Sequence, residues 1–330
     1  MTPAIDIIPP AGLDAFLAQH GLAGAAVTLV AADASFRRYF RVTAADGRNT
    51  VLMDAPPPRE DPKPFIDIAR YLVGHDFRAP QIFAQDTVRG LVLIEDFGDL
   101  QMRQHLDVVP DDADQIYKTA IDALVRLAET PVAQLPPYDE ATYLREVNLL
   151  TEWYIPAMGL ECDQREYEAV WRAALAPVAD IHSVTVLRDY HAENIMLLDG
   201  GEQGIIDFQD ALVGHPAYDL VSLLQDARRD VSPELEAAML EYYRDTAQPS
   251  EDFDLHYAIL GAQRNTKIIG IFTRLWKRDG KDRYLDFLPR MWGLLERDLA
   301  HSGLEPLQAW FDENIPSEIR DRSPDQAVPK

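Results

Sequence analysis

The sequence predicts an α+β protein of two lobes, a small antiparallel β-sheet followed by a larger helical part. Between residues 26 and 95, short apolar stretches alternate with turns, as expected for strands. From residue 111 onward, apolar residues instead recur at helical spacing. This change of pattern divides the 330 residues into two domains, 1–96 and 97–330. Both are long enough to bury a core.

The N-terminal domain is predicted to begin with a short helix over residues 11–20. Two strands then form a hairpin, a third follows the Asp46-Gly47 turn, and a helix separates the third strand from the last two. The predicted strands are 26–30, 36–42, 49–53, 81–84 and 91–95, and the predicted helix is 62–74. Together these strands make a five-stranded antiparallel sheet.

The C-terminal domain is predicted to be mostly helical. An apolar stripe from Ile116 to Ala128 indicates one long amphipathic helix. Further helices are expected over residues 139–157, 163–181 and 253–278. The exception is residues 195–208, where two apolar runs flank Gly200-Gly201 and predict a β-hairpin.

Composition narrows the class of partner. A formal charge of −24 argues against nucleic acid and against an anionic membrane surface. The single cysteine, Cys162, excludes an internal disulfide framework and fits a reducing compartment. The N-terminus has no signal-peptide pattern, and no apolar run is long enough to cross a bilayer. We therefore expect a cytoplasmic chain without a nucleic-acid or membrane partner.

Three oxygen-bearing side chains cluster around the predicted hairpin. Asp189 and Asn194 lie in the loop before it, and Asp207 lies at the end of its second strand. The hairpin should place Asn194 beside Asp207 and leave Asp189 facing the same cavity. A carboxylate and an amide oxygen side by side suit Mg²⁺, which keeps nucleotide phosphates as further ligands. A second carboxylate, Asp189, can accept a proton from an attacking hydroxyl, as in phosphoryl transfer from ATP.

This stretch resembles the catalytic and metal-binding loops of the aminoglycoside phosphotransferase superfamily, which are relatives of protein kinases. Other segments resemble one subgroup, the anomeric kinases for N-acetylmuramate and N-acetylglucosamine in bacterial cell-wall recycling. These segments are ADASFRRYFRV (32–42), VLMDAPPPREDPKPF (51–65), LIEDFGD (93–99), IIDFQDALVGHPAYDLVSLLQDA (205–227) and QRNTKIIGIFTRLWKRDGKDRYLDFLPR (263–290). The likeness covers residues 10–300 and implies a two-lobed kinase-like fold. It also implies that Asp219 braces the catalytic loop through Arg188.

The resemblance places the nucleotide against the sheet. Ser35 lies in the loop expected over the phosphates, and Glu95 and Phe97 lie in the hinge expected to read adenine. The superfamily has an ATP-binding lysine where this chain has Met53, which cannot pair with phosphate. Arginines 37, 38 and 41 on the preceding hairpin could replace that lysine, and Arg41 is the one we favour.

A basic stripe on the helix predicted over residues 253–278 suits an anionic acceptor group. At 100° per residue, Arg264, Lys267, Arg274 and Arg278 share one narrow sector. If the stripe borders the active site, it suits a lactyl carboxylate or the phosphates, whereas a solvated helix face would show the same pattern. Glu146 could bind sugar hydroxyls, and Trp153 could stack on a sugar ring.

The sequence therefore predicts an ATP- and Mg²⁺-dependent kinase that phosphorylates the anomeric hydroxyl of N-acetylmuramate or N-acetylglucosamine. One alternative is a kinase of the same fold for choline, homoserine or an aminoglycoside. Another is a nucleotide-binding pseudokinase, favoured by Met53 and by Leu187, which replaces a usual histidine. Intact Asp189, Asn194 and Asp207 argue against the pseudokinase.

Overall fold

A computed structural model describes residues 9–32 and 36–327. The chain divides into two compact units. The sheet unit consists of Met1–His105 together with Asn194–Asp210, and the helical unit consists of Leu106–Glu193 together with Ala211–Lys330. The predicted hairpin thus belongs with the sheet, although it is distant from it in sequence. The functional division at residues 96 and 97 stays a prediction.

The sheet unit contains the predicted five-stranded antiparallel sheet. Its strands, in spatial order β1-β2-β3-β5-β4, are β1 Ala26–Ala32, β2 Arg38–Thr43, β3 Asn49–Asp54, β4 Ile82–Asp86 and β5 Leu91–Glu95. Side chains alternate between the two faces of each strand. On one face Phe40, Leu52 and Leu93 are direct cross-strand neighbours and are buried. They pack with the apolar side of α1, Leu13–Gln19.

Helix α2, Lys63–Gly74, buries an apolar stripe, as its periodicity predicts. Within that stripe the ring of Phe65 stacks on the ring of Phe208, with 5.1 Å between their centroids. Phe208 follows a hairpin of two strands, β7 Ile195–Leu197 and β8 Gln203–Ile205. Backbone hydrogen bonds from Leu197 to Leu100 (2.8 Å) and from Ile205 to Arg78 (2.7 Å) attach this hairpin to the sheet unit.

The helical unit is organised around α10, Phe253–Asp279, which matches the helix predicted over residues 253–278. Residues 256–266 of α10 are buried on all sides of the helix. The helix ends before Gly280, whose positive φ of 64° favours glycine. The other helices after α2 are α3 Met102–Val108, α4 Ala113–Glu129, α5 Glu140–Leu149, α6 Ile155–Ala157, α7 Gln164–Leu175, α8 Ala217–Leu224, α9 Pro233–Ala247, α11 Leu288–Leu299, α12 Glu305–Asn314, α13 Ser317–Arg320 and α14 Pro324–Ala327.

Two of the predicted helices differ from the structure in detail. The helix expected over 163–181 ends at Leu175, because Pro177 lacks the N–H that would continue it. The helix expected over 139–157 contains a π-helical turn at Leu150–Tyr154. At its entrance the backbone of Leu149 lies against Gly270 of α10, so closely that a Cβ at position 270 would collide with it. Close packing of this kind is invisible to periodicity.

The helical unit also carries one short antiparallel pair, β6 Val184–Val186 and β9 Leu212–Gly214. Strand β6 leads directly into the loop that contains Asp189. Within the described parts of the chain, no helix combines the length and the apolar character that a bilayer crossing requires.

Candidate active site

The loop that follows β6 is held by a carboxylate from α8. The backbone N–H groups of Leu187 and Arg188 donate to the two carboxylate oxygens of Asp219, at 2.7 and 2.8 Å. Burial raises the pKa of Asp219 to about 7, and these two hydrogen bonds oppose the rise. Asp219 therefore braces the loop, as the resemblance implied, but through the backbone rather than the side chain of Arg188.

Two further contacts fix the same loop. The hydroxyl of Ser222 donates to the carbonyl of Arg188 at 3.2 Å, and the N–H of Ala192 donates to Asp226 at 3.1 Å. Arg188 itself has a φ of 72°, which is uncommon for a residue with a Cβ. Such a conformation costs about 1–3 kcal/mol and persists only where surrounding contacts over-determine it. Here those contacts place Asp189 one residue later.

Asp189 is half-buried among cations. Burial raises the pKa of its carboxyl, but the positive charges of Lys267, Arg264 and Arg188 outweigh burial and bring the pKa below its usual value. The carboxyl is therefore ionised at neutral pH and able to accept a proton.

His191 is buried, as expected for a structural residue, and its Nε2 lies 3.1 Å from the Nη1 of Arg228. Because the guanidinium can only donate, Nε2 is the acceptor and the imidazole is neutral. Burial lowers the pKa of His191, which keeps the ring in that state.

Glu146 lies behind the Asp189 loop and is 6 % exposed. Its carboxylate accepts hydrogen bonds from Arg188 and Tyr138, and Lys267 and Gln263 each contact it at 3.1 Å. Burial raises the pKa of Glu146, but the two cations outweigh burial and lower it overall. The sequence suggested a sugar contact on a helix surface. The structure instead places Glu146 in a buried network that positions two of the cations around Asp189.

Arg264 is the most buried member of the predicted basic stripe, at 4 % exposure. Its Nη1 is buried and has no hydrogen-bond partner among the residues that the structure describes. The guanidinium nevertheless acts electrostatically on Asp189, so it lies near the loop. At the other end of the stripe, Arg278 is exposed and pairs with Asp279 at 2.7 Å. The stripe is thus not one solvated face.

Asn194 and Asp207 lie together at the open end of the β7–β8 hairpin, as predicted. The N–H of Ile206 donates to the carbonyl of Asn194 at 3.0 Å, which sets the register beside Asp207. The Nδ2 of Asn194 lies 3.5 Å from Oδ2 of Asp207, and Gln209 donates to Oδ1 of Asp207 at 2.9 Å. Asp207 itself has a φ of 60°, so it is a second residue with a Cβ in this uncommon conformation, after Arg188.

This pair has the donor chemistry that Mg²⁺ prefers. Both side chains offer oxygen, and neither offers the sulfur or imidazole nitrogen that favours zinc. Across residues 9–32 and 36–327, no three or more His, Cys, Asp and Glu side chains group in a way that could hold a metal. Two protein ligands are nevertheless enough for Mg²⁺ when phosphate oxygens and water complete its shell. Asn194 and Asp207 therefore fit the ion, while a cavity shared with Asp189 stays a prediction.

The predicted hinge is tied to the hairpin through Phe97. A Cβ added to Gly204 of β8 would lie 2.6 Å from the ring of Phe97, so only glycine leaves room for this ring. Arg78 lies over the same ring, 5.0 Å from its centroid, and pairs with Glu95 at 2.9 Å. The side chains of Glu95 and Phe97 thus make contacts within the protein, and the expected reading of adenine by the hinge stays a prediction.

Arg41, the residue favoured for phosphate, is held by two carboxylates. Its guanidinium contacts Asp96 at 2.6 and 3.0 Å and Asp99 at 2.9 and 3.1 Å. Ser35, the other predicted phosphate contact, lies outside the described residues. Trp153 is half-buried in the π-helical turn. These nucleotide and sugar roles stay predictions.

A family model described as "Phosphotransferase enzyme family" matches residues 26–253, which include Asp189, Asn194 and Asp207. The chain belongs to this phosphotransferase family. The chain is therefore an ATP-dependent phosphotransferase, as the sequence predicted.

Two curated relatives extend this result. One is an N-acetylmuramate/N-acetylglucosamine kinase of Pseudomonas aeruginosa, 40 % identical over 81 % of this chain and 82 % of the relative. The other carries the same name in Caulobacter vibrioides and is 35 % identical over 93 % and 96 % of the two chains. These relatives confirm the predicted resemblance to the N-acetylmuramate and N-acetylglucosamine kinases.

The solved structures agree on the fold. A choline/ethanolamine kinase family protein of Mesorhizobium loti superposes with a TM-score of 0.62 over 91 % of this phosphotransferase and 96 % of that chain. The two are 13 % identical, so the comparison concerns fold alone. It confirms the α+β kinase-like fold, with a small antiparallel sheet followed by a larger helical part.

Sequence reasoning missed several residues that support the site. Asp226, Ser222 and Tyr138 were not singled out, and the partners of Arg188 and Glu146 were not foreseen. Asp226 carried a faint signal, because an aspartate two residues before Arg228 at a helix end often caps a turn. Ser222 and Tyr138 carried no such signal, because no local pattern marks either residue, and Ser222 contacts Arg188, which is 34 residues away.

Proposed function

We propose that this phosphotransferase is a sugar kinase that transfers the γ-phosphoryl group of ATP to the anomeric hydroxyl of N-acetylmuramate or N-acetylglucosamine. The product is the sugar 1-phosphate. The observation that carries the proposal is the 35–40 % identity, over most of the chain, to relatives named for these two sugars. We further propose that it acts as a cytoplasmic monomer, without nucleic acid or membrane partners.

In this reaction Asp189 accepts the proton of the attacking hydroxyl. Its lowered pKa keeps it ionised at neutral pH and makes it a modest base. An anomeric hydroxyl is somewhat more acidic than an ordinary alcohol, so a modest base suffices. The hydrogen bonds from the backbone of Leu187 and Arg188 to Asp219 hold the loop and thereby keep the Asp189 carboxylate in place. The reaction then requires less reorganisation of the base.

Asn194 and Asp207 would hold Mg²⁺. When bound, the ion offsets the charge of the phosphates and orients them. The hairpin register and the contact from Gln209 hold the two ligands ready, so their alignment does not depend on the nucleotide.

Arg264 is our candidate for an anionic group on the acceptor. A buried guanidinium nitrogen that lacks a hydrogen-bond partner is costly, and a carboxylate would remove that cost. N-acetylmuramate carries a lactyl carboxylate, whereas N-acetylglucosamine does not. Lys267 is 3.1 Å from Glu146 and 3.4 Å from the Tyr218 hydroxyl, so we give it a supporting role. Trp153 remains the candidate for stacking on the sugar.

A substrate panel tests the proposal. ADP release is measured with N-acetylmuramate, N-acetylglucosamine, choline, homoserine and kanamycin, and phosphorus NMR locates the phosphate. We expect the two sugars to stimulate ADP release and to be phosphorylated at the anomeric oxygen. Stimulation by choline, homoserine or kanamycin alone would assign another acceptor. Nucleotide binding without turnover on any acceptor would indicate a pseudokinase.

The same assay tests Arg264. In Arg264→Gln, KM for N-acetylmuramate should rise about tenfold or more, because a charged hydrogen bond is lost, while KM for N-acetylglucosamine changes less. Arg278→Gln, at the exposed end of the same helix, is the matched control and should affect neither sugar. An equal rise for both sugars would show that Arg264 does not select the carboxylate.

A further inference from the structure

Each of the three arginines around the start of β2 contacts at least one carboxylate. Arg38 faces Asp54, its direct neighbour on β3, with its Nε 2.9 Å from the carboxylate. Arg41 is held by Asp96 and Asp99 at 2.6–3.1 Å. The ion pair between Arg37 and Glu60 is longer, at 3.6 Å from Nη2 to Oε2. Glu60 also accepts the backbone N–H of Phe36 at 3.1 Å, which holds Arg37 at the end of the hairpin.

Arg37 also lies on the side of the sheet that carries Met53. Arg37 lies immediately before β2, and its side chain interacts with that of Tyr39. Tyr39 is the direct cross-strand neighbour of Met53, whose side chain is fully buried. A cation at Arg37 is thus on the face where a basic residue in place of Met53 would be.

The third observation connects Arg37 to the proposed metal site. Burial lowers the pKa of Arg37, but interactions with Tyr39, Glu60 and Asp207 raise it overall. Burial also raises the pKa of Tyr39 to about 12, with Asp207 contributing in the same direction. Asp207 is therefore close enough to act on both side chains. The side chain of Arg37 is 13 % exposed, so water screens this interaction only in part.

We propose that Arg37 binds the phosphates of the nucleotide and supplies the positive charge that Met53 cannot. A planar guanidinium can donate two parallel hydrogen bonds to a phosphate, and Arg37 lies near the carboxylate that would hold the phosphate-bound metal. Glu60 is a positioning residue, because it orients Arg37 through a long ion pair. The proposal rests on the assignment of Asp207 to the metal and nucleotide site, and it is independent of which sugar is the acceptor.

Direct binding measurements test the role of Arg37. The full-length protein is titrated with Mg²⁺·AMP-PNP and, separately, with adenosine, which has no phosphate. In Arg37→Met we expect affinity for Mg²⁺·AMP-PNP to fall about 10- to 100-fold, the effect of losing a charged hydrogen bond. Affinity for adenosine should stay within about twofold of the unmodified protein, because adenosine offers Arg37 nothing to bind.

Three matched variants separate the alternatives. Arg48→Met removes an exposed arginine beyond the other end of β2, paired with Asp46, and should leave both affinities unchanged. Arg41→Met tests the residue first favoured from the sequence, and we expect a smaller loss than in Arg37→Met. Adding Met53→Lys to Arg37→Met should restore part of the Mg²⁺·AMP-PNP affinity, because it returns a cation to the same face.

Several outcomes would overturn the proposal. One is unchanged Mg²⁺·AMP-PNP affinity in Arg37→Met, and another is an equal loss for adenosine, which would reveal a distorted pocket. A larger loss in Arg41→Met would transfer the role to Arg41. If Arg37→Met fails to fold, Arg37→Lys keeps the charge and should lose no more than about tenfold; a complete loss there would also contradict us. If no sugar in the substrate panel were phosphorylated, the proposed acceptor would be wrong, but the nucleotide titrations would still decide the role of Arg37.

Discussion

The two carboxylates at the centre of the proposed chemistry have different hydrogen-bond surroundings. Asp189 lies in a loop of the helical unit, where the positive charges of Lys267, Arg264 and Arg188 lower its pKa. Asp207 lies beside a hairpin of the sheet unit, where the amides of Asn194 and Gln209 contact it. Both regions include a residue with positive φ, Arg188 in one and Asp207 in the other.

This difference matches two different tasks. A base needs its negative charge stabilised before the substrate arrives, and cations provide that stabilisation. A metal ligand meets a cation that arrives with the nucleotide, and the amides of Asn194 and Gln209 orient it without adding positive charge of their own. Three predictions test this division, from the largest expected effect to the smallest.

The largest effect is expected at Asp189. Asp189→Asn keeps the size of the side chain but removes the proton acceptor, so turnover should fall on the order of 10²–10⁴-fold. Affinity for Mg²⁺·ADP should remain, because the nucleotide does not need the base. Single-turnover kinetics and nucleotide titration measure the two quantities. Turnover at the normal rate would remove Asp189 from the mechanism.

A smaller effect is expected at Asp207, and it should appear in nucleotide affinity rather than in proton transfer to Asp189. Asp207→Ala should abolish the Mg²⁺-dependent part of nucleotide affinity, about 10- to 100-fold, because a charged ligand is lost. Titration of ADP with and without Mg²⁺ measures this part. Adenosine binding serves as the control, since it involves no metal. If Mg²⁺ still strengthened ADP binding in the variant, the metal site would be elsewhere.

The smallest effect concerns acid and the support of the Asp189 loop. His215 and His256 are buried together, with Nε2 of His215 3.0 Å from Nδ1 of His256. Nδ1 of His215 accepts the N–H of Ala217 at 3.0 Å, at the start of the helix that carries Asp219. Each Nδ1 thus faces a donor, and protonation would break a contact. Burial accordingly lowers the pKa of His215 to about 3.

The direction in which stability changes with pH follows from where the folded and unfolded states bind a proton. Unfolded His215 binds a proton near pH 6.5 whereas the folded ring does not, so stability is complete above that pH and declines below it. By pH 5.5 we expect the contribution of His215 to the free energy of unfolding to fall by about 1.4 kcal/mol. This contribution is the difference in pH dependence between the unmodified chain and His215→Asn, because Asp219, whose pKa is raised to about 7, shifts stability in the opposite direction in both. Urea unfolding at pH 7.5 and 5.5 measures it. Hydrogen exchange at pH 5.5 should increase around residues 187–193 before it increases in the 195–208 hairpin.

His215→Asn is the matched variant for this effect. Its amide can accept from Ala217 and donate to His256, but it does not titrate in this range. The pH dependence of the unfolding free energy should therefore decrease in the variant. A pH dependence equal to that of the unmodified chain would assign the acid sensitivity to other groups.

Much of the fold could be predicted because its signals are local. The five strands, the hairpin at 195–208 and the helix at 253–279 each show their period in neighbouring residues. The end of α7 at Leu175 could have been found from Pro177. The π-helical turn could not, because no pattern in its own residues marks it, and its entrance packs against Gly270 of another helix.

The site was predicted less completely than the fold. Asn194 and Asp207 could be paired from sequence, because a two-stranded hairpin fixes their register. Glu146 was misjudged as a helix-surface residue, since the donors that surround it come from Tyr138, Arg188 and Gln263. One of them, Gln263, is 117 residues away in the chain.

The sequence by itself determined which chemical groups this phosphotransferase has and which short segments present them. Those properties depend on neighbours a few residues apart, and periodicity and turn residues report them. Only the tertiary structure decided which charged groups are already satisfied. Arg41 is neutralised by carboxylates more than 50 residues away, whereas Arg264 keeps a buried donor without a partner among the described residues. Such pairings arise when distant segments pack together, so the local sequence pattern does not contain them.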